Sequence, residues 1–219
     1  LAPCVPFSSF TKNNSMKKIF TLLIFTTLIS CNLNDSKQEA KEVSSLTASD
    51  GVYNIENETS FITWTGREVS TSFHYGTIDL TSGQFELSEG LISSGEFVVD
   101  MTTIKNQDLP SESAQNRLET HLKSDDFFSV EAYPTAKISI SQSEKISDGK
   151  WLVLGDLTIK NFTHPIEFEM INSLEGWNAT LVFDRSLYEV KFRSGTFFEM
   201  LGDKMIYDDI ELEINLKTL

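Results

Sequence analysis

Three histidines are the side chains best suited to bind a metal ion, and they are scattered along the chain. His74, His121 and His164 fall on a predicted strand, a predicted helix and a predicted turn, without the paired spacing that zinc or iron sites favour. The sequence also lacks a Gly-x-Ser-x-Gly elbow, a His-Glu-x-x-His motif and a Gly-rich phosphate loop, so the commonest hydrolase and nucleotide-binding signatures are missing. We therefore predict no metal site, no catalytic residue and no cofactor, and we expect that the protein is not an enzyme.

Three scarce cationic or polar side chains near the ends of predicted strands are candidates for binding a polar head group. They are Arg67, His74 and Arg185, in a chain with 32 acidic and 18 basic residues and a net charge of -14. Such groups can hold a phosphate or carbonyl oxygen through charge-assisted hydrogen bonds. Ion pairs with the numerous acidic side chains explain the same residues equally well.

The acidic excess also limits the class of partner. A protein that binds nucleic acid neutralises phosphates with a basic surface, and anionic lipid head groups attract basic segments in the same way. We therefore predict no nucleic-acid partner. A hydrophobic content of 40% is enough for a packed core, and two cysteines, Cys4 and Cys31, are too few for a disulfide framework.

The first 50 residues have the features of a targeting segment. Lys17 and Lys18 precede an apolar run over residues 19–29, which is the layout of a secretory signal peptide. The run ends in Leu28-Ile29-Ser30-Cys31, which resembles the lipobox of bacterial lipoproteins, in which cleavage leaves the cysteine as an acylated N-terminus. A cleaved, soluble secretory signal is the alternative interpretation.

These features predict four segments. Residues 1–15 precede the start methionine and look like translated upstream sequence, residues 16–30 are a lipoprotein signal peptide, residues 31–50 are the acylated Cys31 with a flexible polar tether, and residues 51–219 are the folded domain. The lipobox implies a lipid anchor in the bacterial cell envelope, on the periplasmic side of a membrane, with the outer membrane favoured, or at the cell surface.

The remaining chain alternates between apolar and polar residues as β-strands do. The clearest run is C-terminal, where Ile210, Leu212, Ile214 and Leu216 alternate with acidic and polar residues. This pattern predicts a strand with one buried face and one solvent-exposed face. Similar strands are predicted over residues 61–67, 75–80, 84–88, 95–101, 151–159 and 177–183. Turns are predicted between strands at Ser82-Gly83, Glu89-Gly90, Asp148-Gly149 and Glu175-Gly176.

One stretch has helical periodicity instead. Residues 110–123 place Ala114, Leu118 and Leu122 on one face, which predicts a helix of about three turns. Glu119 and Lys123 are spaced for an ion pair along that helix. At least eight antiparallel strands joined by short turns, with a single helix, indicate an all-β sandwich or a closed antiparallel β-barrel.

Several motifs of this chain resemble the YceI-like family. They are HLKSDDFFSVEAYPTA at residues 121–136, GDLTIK at residues 155–160 followed by Thr163, FHYGT at residues 73–77 and VVDM at residues 98–101. Asn161 stands where the family usually has a glycine. The resemblance covers residues 51–219 and implies an extended, lipocalin-like antiparallel barrel of about eight strands with one short α-helix, which holds a long isoprenoid or similar lipid chain.

Phenylalanines are the candidate lining of such a tunnel. The predicted ligand-binding set is Phe61, Phe73, Phe85, Phe97, Phe127, Phe128, Phe183, Phe192, Phe197 and Phe198. Rigid aromatic side chains can line an apolar tunnel, but they are equally the contents of a solid core. Phe127 and Phe128 directly follow the predicted helix, where they either dock it on the barrel or cover a ligand.

The leading hypothesis is therefore binding, sequestration or transport of a polyisoprenoid or similar long-chain lipid in the bacterial envelope. A second hypothesis is an envelope interaction or assembly protein that uses the barrel as a scaffold. A third is an enzyme acting on a lipid or quinone precursor. The expected partners are the lipid and, through the anchor, a membrane; association into a homodimer is left open.

Overall fold

The computed structural model describes residues 46–70 and 72–219. The predicted upstream segment, the signal peptide, Cys31 and most of the tether lie outside these residues. Within the described residues no helix is both long and apolar enough to cross a bilayer.

Antiparallel strands dominate the described chain. In order they are β1 Gly51–Asn54, β2 Phe61–Glu68, β3 Phe73–Ser88, β4 Leu91–Asn106, β5 Thr135–Ser147, β6 Lys150–Ile159, β7 Phe162–Ser173, β8 Gly176–Asp184 and β9 Ile206–Leu216. The one α-helix of residues 46–70 and 72–219, α1 Glu112–Lys123, follows β4. Two short 3-10 helices, Arg185–Tyr188 and Gly202–Lys204, lie between β8 and β9.

Eight of these strands close into a barrel. The hydrogen-bonded order runs β3-β2-β9-β8-β7-β6-β5-β4, and β4 pairs again with β3. Strand β1 pairs with the far half of β3, beyond the part that pairs with β2. Closure removes the exposed edges that an open sheet would present. The predicted eight-stranded antiparallel barrel with one helix is confirmed.

The turn predicted at Ser82-Gly83 is wrong, because the chain continues through it as one long strand. The register between β3 and β4 shifts between Leu80, which pairs with Val99, and Ser82, which pairs with Val98. A bulge at this point takes up the extra residue and bends the strand without reversing it. The two strands predicted over residues 75–80 and 84–88 are therefore the two halves of β3.

One end of the barrel is closed by aromatic side chains. The rings of Tyr53 and Phe85 stack at 4.9 Å, Phe85 meets Trp177 edge-on at 4.7 Å, and Trp151 lies 5.3 Å from Trp177. The indole Nε1 of Trp151 donates to the carbonyl of Gly90 at 2.9 Å. Since Phe85, Trp151 and Trp177 are almost fully buried, we call this group the aromatic plug.

Gly76 is required where β3 meets β4 at the opposite end. A Cβ at this position would lie 1.8 Å from the carbonyl oxygen of Lys105, whereas a Cβ at Gly66 would meet only the Ile210 side chain at 3.6 Å. We expect Gly76→Ala to lower the free energy of unfolding by about 2–3 kcal/mol, since the strands that close the barrel must separate. Urea unfolding measures this, with Gly66→Ala as the matched control. Equal stability of the two variants would contradict the close approach.

Candidate functional site

The barrel encloses an apolar cavity of about 180 Å³ between the aromatic plug and the open end. Side chains from all eight strands of the ring form its wall, among them Ile78, Leu80, Met101, Ile138, Leu212 and Ile214. Each of these residues occupies the inward position of its strand, as the two-residue period predicts. The interior is therefore hollow rather than completely filled by its own side chains.

Helix α1 lies at the mouth of the cavity. Its Leu118 and Leu122 contribute to the wall, and so do Phe127 and Phe128, which follow it. The side chain of Ser111 caps the helix by accepting a hydrogen bond from the Ala114 amide. Phe127 is buried, with its ring 5.1 Å from His121 and 5.3 Å from Phe192. Phe127 and Phe128 thus both dock the helix and border the cavity.

Glu119 anchors the helix to the barrel. Its side chain accepts a hydrogen bond from the Asn106 amide at 3.0 Å and lies 3.2 Å from Lys105 Nζ. Its hydrogen bonds are therefore made with the end of β4, and the charge of Lys123, the partner expected along the helix, also stabilises the carboxylate. Burial opposes ionisation of this carboxyl, but the hydrogen bonds from Asn106 and Lys105 outweigh it and lower the pKa of Glu119 below its ordinary value.

The lowered pKa of Glu119 makes helix docking sensitive to acid. Its stabilising contribution is complete above the unfolded value of 4.5 and is lost as the pH falls through the lower folded value. We expect Glu119→Gln to lower the free energy of unfolding at pH 7 by about 1.5–3 kcal/mol and to flatten its decline below about pH 4.5. Urea unfolding at pH 3 to 7 measures both effects, with exposed Glu131→Gln as the control. A parallel pH dependence for the wild type and Glu119→Gln would contradict this role.

His74 lies on the cavity wall at the mouth and is paired with a carboxylate. Its Nδ1 is 2.8 Å from Asp108 Oδ2, and Asp108 Oδ1 accepts a hydrogen bond from the Tyr75 amide at 3.0 Å and from the Asn106 side chain. Burial acts to raise the pKa of Asp108, but these hydrogen bonds outweigh it and hold that pKa below its usual value. No sequence motif indicated Asp108, which β4 and the start of the following loop bring beside β3.

Arg185 is completely buried at the mouth and belongs to the barrel's own hydrogen-bond network. It donates to the carbonyl oxygens of Tyr207, Val190 and Ile206 at 3.1–3.2 Å and lies 3.2 Å from the Asp208 carboxylate. Burial lowers the pKa of Arg185, while the nearby carboxylates of Asp208 and Asp184 act in the opposite direction. Its guanidinium therefore ties the segment between β8 and β9 to the barrel.

Arg67 borders the cavity, but its guanidinium is engaged on the outer face, and its head-group role stays a prediction. Its guanidinium lies 3.6 Å from Glu211 and 5.7 Å from the centre of the Phe73 ring. Phe73 is about half exposed and takes the outward position of β3. The pair with Glu211 is the surface ion pair that the sequence left as the alternative.

The ten predicted phenylalanines divide according to strand parity and position. Phe97, Phe127, Phe128 and Phe183 are on the cavity wall; Phe85 is in the aromatic plug; Phe61, Phe73 and Phe198 are about half exposed; Phe192 and Phe197 belong to the segment before β9. The six that do not line the cavity occupy outward strand positions, the plug or irregular chain. Phe168 lines the cavity and was missed, although its alternation with Glu167 and Glu169 indicated an inward position. A binding role for the four wall residues stays a prediction.

The three histidines do not converge. His121 packs on Phe127 and Phe192, and His164 Nε2 is hydrogen-bonded at 2.9 Å to the carbonyl of Leu187. In the part of the chain that the structure describes, no group of three or more His, Cys, Asp or Glu side chains is arranged to hold a metal ion.

Comparison with known sequences decides the family. The profile of the YceI-like domain matches residues 53–218. The chain belongs to the YceI-like family. A UPF0312 protein of Photorhabdus laumondii is 28% identical to this YceI-like protein over 174 residues, which cover 78% of this chain and 88% of the relative. A UPF0312 protein of Pseudomonas putida is 29% identical over 121 residues, or 55% of this chain and 60% of the relative.

Solved structures share the fold of this YceI-like protein at low sequence identity. BcnA of Burkholderia cenocepacia superposes with a TM-score of 0.57 at 16% identity, covering 74% of this chain and 98% of BcnA. A polyisoprenoid-binding domain of Saccharophagus degradans, implicated in plant cell wall breakdown, superposes with a TM-score of 0.50 at 12% identity, covering 75% of this chain and 95% of that domain. These similarities support the barrel architecture.

Proposed function

We propose that this YceI-like protein binds a long-chain apolar lipid of the polyisoprenoid type inside its barrel. The observation that carries the proposal is the hollow, apolar interior, closed at one end by the aromatic plug and bordered at the other by α1. The structural neighbour named for polyisoprenoid binding supports the same ligand class. A binding function also accounts for the wall, which consists mainly of aliphatic and aromatic side chains.

The physics of such binding favours a slender chain. Each methylene moved from water into an apolar cavity contributes about 0.8 kcal/mol, so a few isoprene units bind tightly with few polar contacts. The volume of about 180 Å³ is below the roughly 300–1,000 Å³ of pockets that hold drug-sized ligands. A single unbranched or methyl-branched chain therefore fits this volume better than a bulky ring system.

We further propose that the protein acts in the bacterial cell envelope, tethered through an acylated Cys31. The sequence that ends at Cys31 supports this proposal through its resemblance to a lipobox. A tethered barrel would hold its ligand near the membrane from which the lipid comes. The roles consistent with this arrangement are storage, protection or short-range transfer of the lipid.

Purification from the native membrane tests both the lipid binding and the membrane anchor. The protein should partition into the detergent-solubilised membrane fraction, and mass spectrometry of its organic extract should show about one long-chain lipid for each barrel. A Cys31→Ser variant serves as the control for partitioning. Well-folded native protein that yields an empty extract would contradict lipid binding, and wild-type protein in the soluble fraction would contradict the anchor.

A further inference from the structure

The long connection between β8 and β9, residues 185–205, exposes apolar side chains at the mouth of the barrel. Arg185, where the connection begins, and Ile206, which follows it, both line the cavity. The β6–β7 turn packs against this connection, because Lys160 Nζ donates to the Glu189 carbonyl at 3.2 Å. The exposed apolar side chains of the connection and of the start of β7, which we call the rim patch, are Phe162, Leu187, Phe198 and Met200.

Met200 combines an unfavourable backbone conformation with complete exposure of its side chain. Its φ is 60°, in the left-handed region that residues with a Cβ rarely occupy. A glycine would avoid the backbone strain at this position, and a polar side chain would avoid the exposure of apolar surface to water. Contact with an apolar surface outside the molecule would compensate for the exposure, which is the usual meaning of apolar patches on a protein surface.

The connection is nearly neutral in a strongly acidic chain. Its charged residues, four basic and three acidic, are Arg185, Lys191, Arg193, Lys204, Glu189, Glu199 and Asp203, whereas the whole chain has 18 basic and 32 acidic residues. Lys191 pairs with Glu189, and Arg193 lies 4.0 Å from Glu68. The excess negative charge, which disfavours contact with anionic lipids, therefore lies elsewhere on the molecule.

Two of these cations lie against aromatic rings. Lys191 Nζ is 4.9 Å from the centre of the Phe197 ring, and the guanidinium carbon of Arg193 is 5.1 Å from the centre of the Phe192 ring. Long cationic side chains can bury their stems in apolar surroundings while their charged ends stay in water. Phenylalanine beside lysine and arginine is typical of segments that lie in a membrane interface.

The proposed anchor joins the barrel at the opposite end. The described chain begins at Leu46, whose amide donates to the Asn172 carbonyl at 2.7 Å, and Asn172 pairs with Trp177 of the aromatic plug. A tether from Cys31 would therefore hold the closed end of the barrel. A lipid that enters at the mouth needs a separate contact between the mouth and the bilayer.

We propose that the rim patch inserts into a lipid bilayer, so that the ligand passes between the membrane and the cavity without crossing water. Phe198 and Met200 enter the acyl region, and the charged ends of Lys191 and Arg193 stay among the head groups. Insertion buries apolar side chains that are otherwise exposed to water. This inference rests on the proposed lipid-binding function and adds the surface through which the barrel is loaded.

Quenching of tryptophan fluorescence by brominated lipids measures insertion directly. Protein purified from its native membrane is reconstituted in vesicles of phosphatidylcholine brominated at known acyl positions. It carries either Met200→Trp or, as the matched control at the plug end, Leu174→Trp, which replaces another largely exposed side chain. We expect residue 200 to lie about 5–10 Å into the boundary between head groups and acyl chains, and residue 174 to remain in water.

Two results of this measurement would overturn the proposal. The first is quenching at residue 174 without quenching at residue 200, which would place the plug end on the membrane. The second is a residue 200 that is unquenched by lipid and becomes shielded only when another envelope protein, or a second copy of this chain, is added. That result would assign the rim patch to a protein partner.

Loading from vesicles tests the consequence for function. Phe198→Ser combined with Met200→Ser should slow the transfer of geranylgeraniol from phosphatidylcholine vesicles to the delipidated protein by at least about tenfold, because two apolar side chains no longer insert. Leu174→Ser should transfer at the wild-type rate. Farnesol added from solution should bind all three proteins equally, which shows that the barrel is intact.

The two possible failures of the loading experiment are distinguishable. Wild-type transfer rates in the folded double variant would overturn membrane docking and leave lipid binding intact. Failure of the wild type to bind farnesol or geranylgeraniol would overturn the proposed lipid binding, whereas the quenching at residue 200 does not depend on the ligand.

Discussion

Replacing Ala179 by Phe is expected to weaken lipid binding by about 100-fold while the barrel stays folded. Ala179 is buried on the cavity wall, where β8 pairs it with Met170 on one side and with Ile214 on the other. A benzyl group at this position would occupy the space of about four methylenes of the ligand, which together contribute about 3 kcal/mol. Because the added ring enters an existing cavity, the free energy of unfolding should change by less than about 1 kcal/mol.

The outward neighbour of Ala179 provides the control. Thr180 is exposed on the same strand, so Thr180→Phe adds the same ring on the other face of the sheet and should leave affinity unchanged. Calorimetric titration with farnesol measures binding, and urea unfolding measures stability. Wild-type affinity in folded Ala179→Phe protein would show that the lipid does not lie in the barrel.

Replacing Arg185 by Met is expected to destabilise the barrel by about 3–5 kcal/mol, the loss seen when one partner of a buried ion pair is removed. The substitution retains much of the side-chain length but leaves the Asp208 carboxylate without its cation and three backbone carbonyls without a donor. The segment between β8 and β9 would lose its main polar attachment to the mouth. Urea unfolding measures the loss.

Two further variants compare the buried ion pair of Arg185 with an exposed one and test the effect of the uncompensated carboxylate. Arg67→Met removes an exposed arginine whose ion pair with Glu211 lies on the outer face, so it should cost less than about 1 kcal/mol. Arg185→Met combined with Asp208→Asn should recover part of the lost stability, because the uncompensated carboxylate is gone. A similar, small effect for Arg67→Met and Arg185→Met would contradict the structural role of Arg185.

Period-two alternation was sufficient to predict strands, since it depends only on neighbouring residues, and the resemblance to the YceI-like family favoured a barrel over a sandwich. The same kind of local signal predicted the helix from Ala114, Leu118 and Leu122, and the structure has α1 at Glu112–Lys123. The motif at residues 121–136 led to the correct family. The prediction of a turn at Ser82-Gly83 was wrong because local composition does not reveal whether a partner strand continues past these residues.

Candidate site residues were harder to place because side-chain type does not specify a face or a partner. Phe61 and Phe97 are equally hydrophobic, yet the first is half exposed and the second lines the cavity. Phe192, Phe197 and Phe198 lie in irregular chain, where no period assigns them a direction. Arg67 and Arg185 looked alike in the sequence, but one pairs with Glu211 on the outer face and the other is completely buried.

The amino-acid sequence by itself determined the strands, the helix and the family, because those follow from short-range patterns and a long motif. Only the tertiary structure decided that the interior is hollow, that Asp108 supports His74, and that Glu119 holds the helix on β4. The physical reason is that a cavity and a buried polar contact depend on side chains from strands far apart in sequence, whose positions are established only when β3 and β4 close the ring.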